Sequence, residues 1–115
     1  MKTQIYYNPQ CSKCRSSLDL LKDQGIEPEV IEYLTTPPDK NTLKEILNKL
    51  GLSARQLIRK HEAEYKDQGL DDPSLSEDEL IEAMIATPKL IERPVVVTDK
   101  GVAIGRPPEN ILKVL

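Results

Sequence analysis

The chain has 115 residues, of which 38% are hydrophobic and 30% are charged, and its formal net charge at pH 7 is −3. This length and composition fit one compact domain, and the mixing of both charge signs along the chain argues against a nucleic-acid-binding surface. No apolar run approaches the roughly 20 residues of a membrane-spanning helix, and the first residues lack the pattern of a signal peptide, so we expect a cytoplasmic protein.

The first part of the chain predicts a β-α-β unit. Residues 4–7 form a short apolar strand that ends at Asn8-Pro9, because proline cannot pair in a sheet ladder. Apolar spacing over residues 14–24 predicts a helix, and β-branched and aromatic residues at 30–33 predict a second strand. Two strands joined in this way are expected to be parallel, with a right-handed crossover.

The middle of the chain predicts helices rather than strands. Asn41 can cap a helix that ends at Gly51, and residues 53–60 form a second helical run. A third helix begins at Ser76, where the sequence S-E-D-E predicts a capping box. We expect residues 65–74, which contain glycine and proline, to form a surface loop.

The last part of the chain returns to strands. Residues 95–97 and 102–104 flank an Asp99-Lys100-Gly101 turn, which predicts an antiparallel hairpin. Pro107-Pro108 then opens a final helix. The element order therefore predicts an α/β fold in which a helical insert interrupts a small sheet.

The two cysteines of the chain, Cys11 and Cys14, stand at the start of the first predicted helix, directly after a strand and a turn. Unpaired N–H groups and the positive end of the helix dipole favour a thiolate there, and Lys13 and Arg15 add positive charge. The same N–H groups can bind an oxyanion. We therefore predict that Cys11 is a nucleophile and that Cys14 can resolve it.

Two simpler interpretations of the cysteines stay open. A buried, inert cysteine pair is one of them, since free cysteine is often interior. A structural zinc site is the other, but it normally needs four ligands. Beyond the cysteines the chain offers one histidine, His61, in a polar stretch far along the sequence. We therefore expect no bound metal and a solvated His61.

The positions of three arginines are a second indication of an oxyanion-binding site. Arg93 and Arg106 each stand directly before a proline at a predicted strand boundary, and Arg59 lies at the close of an insert helix. Guanidinium groups bind oxyanions through paired hydrogen bonds that lysine cannot reproduce. The alternative is that these arginines cap helices or pair with Glu62 and Glu92.

Five stretches of the sequence resemble the glutaredoxin-dependent arsenate reductase family. They are Y-Y-N-P-Q-C-S-K-C-R at 6–15, G-I-E-P-E-V-I-E-Y-L at 25–34, L-I-R-K at 57–60, P-K-L-I-E-R-P-V-V-V at 88–97 and G-R-P-P-E at 105–109. The resemblance implies a thioredoxin-like fold with a mixed four-stranded sheet. It also implies a single domain, with a core at about 1–34 and 89–115 and a helical insert at about 35–88.

The same resemblance implies an activity and a set of site residues. Cys11 attacks arsenate, Arg59, Arg93 and Arg106 hold the oxyanion, and glutathione with glutaredoxin completes the reduction to arsenite. The expected protein is thus an oxidoreductase without a bound cofactor, a monomer whose partners are a small oxyanion and glutaredoxin. Two positions depart from the family pattern, Tyr7 in place of a frequent histidine and Cys14 in place of a non-cysteine residue, and they resemble a shorter C-x-x-C subgroup.

Two other functions fit parts of the sequence. A regulator resembling the Spx family shares this fold and uses a C-x-x-C disulfide switch while it binds RNA polymerase, although Arg106 belongs to the reductase pattern. A general thiol–disulfide oxidoreductase needs only the cysteine pair and a proline facing it, for which Pro94 is the candidate.

Overall fold

The computed structural model describes residues 2–115, which divide into two units. The sheet unit combines the chain up to Thr36 with Arg93–Leu115, and the helical unit is Pro37–Glu92. Both cysteines, Arg93 and Arg106 therefore belong to the sheet unit, whereas Arg59 belongs to the helical unit. None of the helices described in these residues is long and apolar enough to cross a membrane.

The sheet unit is built on four strands in the order β2-β1-β3-β4. The strands are β1 (Gln4–Tyr6), β2 (Glu29–Ile31), β3 (Val95–Thr98) and β4 (Gly101–Ile104). β1 pairs with β2 in parallel and with β3 antiparallel, and β3 and β4 form an antiparallel hairpin. The predicted α/β fold with a mixed four-stranded sheet is confirmed. Tyr33, expected in the second strand, lies beyond its end and is buried.

Two helices pack against each other in the sheet unit, α1 (Ser12–Asp23) and a C-terminal 3-10 helix (Pro108–Val114). Leu21 of α1 and Ile111 of the 3-10 helix join Ile5 and Val96 in a fully buried core. Burying such aliphatic side chains supplies most of the driving force for folding here, since the chain has no Phe or Trp. Helix α1 starts at Ser12, earlier than the predicted residue 14.

The helical unit contains four α-helices and a short 3-10 turn. They are α2 (Lys40–Leu50), α3 (Ala54–Leu57), α4 (Ala63–Asp67), α5 (Glu77–Ala86) and the 3-10 turn Pro88–Leu90. Helix α5 contacts both α2 and α3 and buries Leu80, Ile81 and Met84. The capping box predicted at Ser76 is confirmed, because its hydroxyl accepts from the Glu79 N–H and the Glu79 carboxylate accepts from the Ser76 N–H.

The predicted cap of α2 is wrong by two residues. The side chain of Asp39 accepts a hydrogen bond from the Thr42 N–H at 2.8 Å, so Asp39 rather than Asn41 is the N-cap. Both residue types are good caps, and the helix starts at the position that leaves Leu43 and Leu47 on the buried face.

The helix predicted over residues 53–60 is also too long. Helix α3 ends at Leu57, and Ile58 instead forms an antiparallel bridge with Ile91. The Arg59 N–H donates to the Leu90 carbonyl at 2.7 Å, so this backbone pairs with a distant segment of the chain instead of continuing α3. Long-range pairing thus overrides the local helical preference.

The surface loop predicted over residues 65–74 is wrong at its start. Helix α4 extends into it, and both Tyr65 and Leu70 are buried. The Arg55 guanidinium holds the segment, donating to Tyr65 Oη at 2.8 Å and to the carbonyls of Leu70 and Asp72 at 2.7 and 2.8 Å. Arg55 therefore has a structural role in the helical unit.

Candidate active site

Cys11 lies where a tight turn after β1 leads into α1. Its N–H donates to the Asn8 carbonyl at 2.9 Å, and the Asn8 side chain accepts from the Gln10 N–H at 3.0 Å. These bonds close the turn that the Asn8-Pro9 pair predicts. Cys11 is the N-cap residue of α1 in an extended conformation, and only 7% of it is exposed. The predicted nucleophile therefore stands at the positive end of the helix.

Local interactions favour the thiolate form of Cys11. Burial raises the pKa of its thiol, but the backbone N–H and thiol of Cys14, together with the Arg93 guanidinium, outweigh that effect and bring the pKa below its ordinary value. The Cys11 sulfur makes no regular capping hydrogen bond. Its stabilisation comes from Cys14 and from positive charge nearby.

Cys14 has the opposite character. It is completely buried, and neither cysteine is in a disulfide. Burial is the main cause that raises the pKa of Cys14 to about 12; the Asn8 backbone opposes it, the hydrogen bond to Cys11 and the charge on the Cys11 thiolate add to it, and Arg93 opposes it least. Two neighbouring thiols thus differ in state, with Cys11 favoured as thiolate and Cys14 as thiol.

Arg106 approaches the Cys11 sulfur from the end of β4. Its Nη2 atom lies 3.8 Å from Cys11 Sγ, while its Nε donates to the Arg93 carbonyl at 2.7 Å. The side-chain amide of Asn110 donates to the Arg106 carbonyl at 3.0 Å and so holds the backbone of Arg106. The Arg93-Pro94 and Arg106-Pro107 peptide bonds are both cis. The contacts of Arg106 with Cys11 Sγ and with the Arg93 carbonyl show that the two predicted Arg-Pro positions meet beside one cysteine.

Gly105 allows the close backbone packing that positions Arg106. Its N–H donates to the Pro94 carbonyl at 2.9 Å, and a Cβ atom at this position would collide with Ser17 Oγ and lie 2.7 Å from Pro94 Cγ. Only glycine fits between α1 and Pro94. Sequence reasoning missed both Ser17 and Gly105, because nothing local in the sequence indicates that these positions touch.

Arg59 has its own partners in the helical unit. Its Nε lies 3.3 Å from Glu62 Oε1, its Nη1 lies 3.7 Å from Glu92 Oε1, and its Nη2 lies 2.9 Å from His61 Nε2. The sequence-based alternative, pairing with Glu62 and Glu92, is thus realised. A role for Arg59 at the Cys11 sulfur stays a prediction. His61 is exposed, as expected, apart from this contact.

Residues 2–115 contain no group of three or more His, Cys, Asp or Glu side chains that could hold a metal ion. What the sheet unit does provide is a buried sulfur that favours the thiolate, two guanidinium groups and a helix N-terminus. Such a set of groups can attract a tetrahedral oxyanion and attack its central atom.

Comparison with known proteins identifies the family. The family model described as "ArsC family" matches residues 6–114. The chain belongs to the ArsC family. The resemblance seen in the sequence is thereby confirmed, and both Arg-Pro positions and the C-x-x-C pair lie within the matched range.

Several ArsC relatives match the chain over nearly its whole length. The uncharacterized protein YfgD of Escherichia coli K12 is 52% identical over 99% of this chain and 97% of that protein. An arsenate reductase of Neisseria meningitidis serogroup A is 51% identical over 96% of each chain. The solved structure of an arsenate reductase from Vibrio cholerae is 48% identical, with a TM-score of 0.96 over 100% of this chain and 98% of that one.

Proposed function

We propose that this ArsC protein reduces arsenate to arsenite with the Cys11 thiolate as nucleophile. The observation that carries the proposal is the 3.8 Å approach of Arg106 Nη2 to Cys11 Sγ. Arg93 interacts with the same sulfur and favours its thiolate form. Relatives that are about half identical and named arsenate reductases support the choice of oxyanion.

The arginines solve an electrostatic problem in this reaction. Arsenate is an anion, and without compensation it would be repelled by an anionic sulfur. Arg93 and Arg106 place fixed positive charge beside Cys11, and their planar guanidinium groups suit paired hydrogen bonds to arsenate oxygens. We assign substrate binding to both, and we assign it to Arg59 on the family pattern alone. Fixed charges that need no rearrangement during the reaction account for much of the rate gain.

The chemistry proceeds in two steps. Cys11 Sγ attacks arsenic and a sulfur–arsenic bond forms as one arsenate oxygen leaves as water. A thiol then attacks Cys11 Sγ, so that a disulfide forms, the sulfur–arsenic bond breaks, and its electron pair stays on arsenic, which becomes As(III). Glutathione and glutaredoxin are the proposed thiol donors that return the protein to its reduced state. No prosthetic cofactor is required, because both electrons come from thiols.

Arsenite formation in the presence of glutathione and glutaredoxin tests the proposal. We expect turnover by the parent protein and none by Cys11→Ser, with thermal unfolding of both proteins measured to confirm that the variant folds. Unchanged turnover in Cys11→Ser would end the proposal. Reduction of insulin disulfides without arsenite formation would favour a general thiol–disulfide oxidoreductase instead.

A further inference from the structure

Cys14 is a buried nucleophilic group that the reaction above does not yet use. It is completely buried on the first turn of α1, three residues after Cys11, which is itself only 7% exposed. The chain has two cysteines, so Cys11 is the one other thiol with which Cys14 can form a disulfide within a single molecule. Both are free thiols in the structure.

We propose that Cys14 is the resolving thiol: once Cys11 is bonded to arsenic, Cys14 attacks the Cys11 sulfur, releases arsenite and leaves a Cys11–Cys14 disulfide. This step presupposes the arsenate reduction proposed above. It places glutathione and glutaredoxin after arsenite release, where they reduce the disulfide, rather than at the release step itself.

The placement of the two sulfurs supports this order. The thiol and the backbone N–H of Cys14 both interact with Cys11 Sγ, so the attacking atom is next to its target before the reaction starts. Cysteines separated by two residues at a helix N-terminus have the spacing of known redox pairs. An attack within the molecule avoids the entropy cost of bringing in a second thiol. Cys14 is also shielded from bulky external thiols, because none of it is exposed.

The charge on Cys11 sets the timing. Burial raises the pKa of Cys14 most and the Asn8 backbone opposes it, while the hydrogen bond and negative charge of the Cys11 thiolate are smaller causes that also raise the value, which is about 12. When Cys11 Sγ bonds to arsenic, the thiolate charge and that hydrogen-bond acceptor disappear, while Arg93 continues to favour a Cys14 thiolate. Cys14 therefore becomes a better nucleophile at the moment when its attack is productive.

The electrons and atoms of this step balance. Two thiols give up two protons and two electrons and become one disulfide, arsenic passes from As(V) to As(III), and one arsenate oxygen is released as water. Two further thiol equivalents, from glutathione or from a dithiol glutaredoxin, then reduce the disulfide and form an external disulfide.

The test is a single turnover without added thiol. Fully reduced protein, freed of reductant under anaerobic conditions, is incubated with arsenate, and arsenite and the intact protein mass are measured. We expect the parent to release about one arsenite per chain and to lose the mass of two hydrogen atoms, as a two-electron exchange requires. Cys14→Ser and Cys14→Ala should release none, and Ser16→Ala, at an exposed position of the same helix, should behave as the parent.

The outcomes separate this inference from the proposed function. If the parent releases arsenite only after glutathione and glutaredoxin are added, Cys14 is not the resolving thiol, and arsenate reduction still stands. If the parent forms no arsenite even then, the proposed function itself fails. Should both Cys14 variants unfold, the mass of the parent protein decides alone, because a product without the internal disulfide overturns the inference.

Discussion

Arg106 and Cys11 are 95 residues apart in the chain, yet Arg106 Nη2 lies 3.8 Å from Cys11 Sγ. The sheet produces this approach. Cys11 follows β1, β1 pairs with β3, and β3 pairs with β4, after which Arg106 comes. A hydrogen bond of 2.7 Å from Arg106 Nε to the Arg93 carbonyl then fixes the guanidinium. The proposed chemistry depends on this arrangement.

The Arg106→Lys variant tests whether guanidinium geometry matters as well as charge. Lysine keeps the positive charge but loses both the paired donors and the bond to the Arg93 carbonyl. Hydrogen bonds to charged groups are worth about 1.5–3 kcal/mol, so we expect kcat/KM for arsenate to fall about tenfold to a hundredfold. Equal kcat/KM for the variant and the parent would show that charge alone suffices.

The reactivity of Cys11 should depend on pH in a defined direction. Because the pKa of Cys11 lies below its ordinary value, the thiolate persists to lower pH and is lost only as pH falls through that lowered pKa. Alkylation rates with iodoacetamide, with the modified cysteine located by mass spectrometry, measure this midpoint. Cys14 should stay unmodified in the same range, since its pKa is about 12.

The Arg93→Ala variant tests whether Arg93 contributes to this pH dependence of Cys11 alkylation. Its guanidinium is one of the groups that lower the pKa of Cys11, after the Cys14 groups, so the alkylation midpoint should move up. An unchanged midpoint would show that Arg93 does not stabilise the Cys11 thiolate.

The Gly105→Ala variant tests the backbone position that carries Arg106. The added methyl group would collide with Ser17 Oγ and lie 2.7 Å from Pro94 Cγ. Overpacking of this kind destabilises proteins by about 1–3 kcal/mol, and we expect a loss of that order in urea unfolding, together with lower kcat/KM. The Ser17→Ala control removes a buried hydroxyl that has no hydrogen-bond partner among the described residues, so its stability should not fall.

The cap of α2 gives a prediction independent of the active site. Asp39→Ala removes the acceptor of the Thr42 N–H, whereas Asn41→Ala removes no such bond, so Asp39→Ala should lower the free energy of unfolding more. The Thr42 interaction also lowers the pKa of Asp39. The contribution of the Asp39–Thr42 hydrogen bond to the free energy of unfolding is therefore fully present above the ordinary carboxyl pKa. It is lost as pH falls through the lowered pKa of Asp39. Urea unfolding near neutral pH and in acid, for both variants, measures the difference.

Features that depend on neighbouring residues could be predicted from the sequence. The turn at Asn8 and the capping box at Ser76 each follow from a few adjacent side chains, whereas α1 begins two residues before its predicted start. The Arg-Pro positions could be singled out for the same reason. Their meeting beside Cys11 could be expected because both stand at strand boundaries of a small sheet, and the family pattern implies the same.

Features that depend on distant contacts could not be predicted. Helix α4 is five residues long, too short to give a periodic signal, and Arg55 holds the chain after it from another helix. The contact between Gly105 and Ser17 likewise joins two segments that only the folded sheet unit brings together. Asp39 and Asn41 are both good caps, and packing of the apolar face chooses between them.

A bond between Cys11 and arsenic is the central claim, and arsenic-edge X-ray absorption tests it most directly. The Cys14→Ala protein is suited to the measurement, because without a second protein thiol or added glutathione the adduct should accumulate. We predict a sulfur neighbour at arsenic in this variant after incubation with arsenate, and none when Cys11→Ser is added to it. Arsenic surrounded by oxygen alone in the folded Cys14→Ala protein would contradict the account.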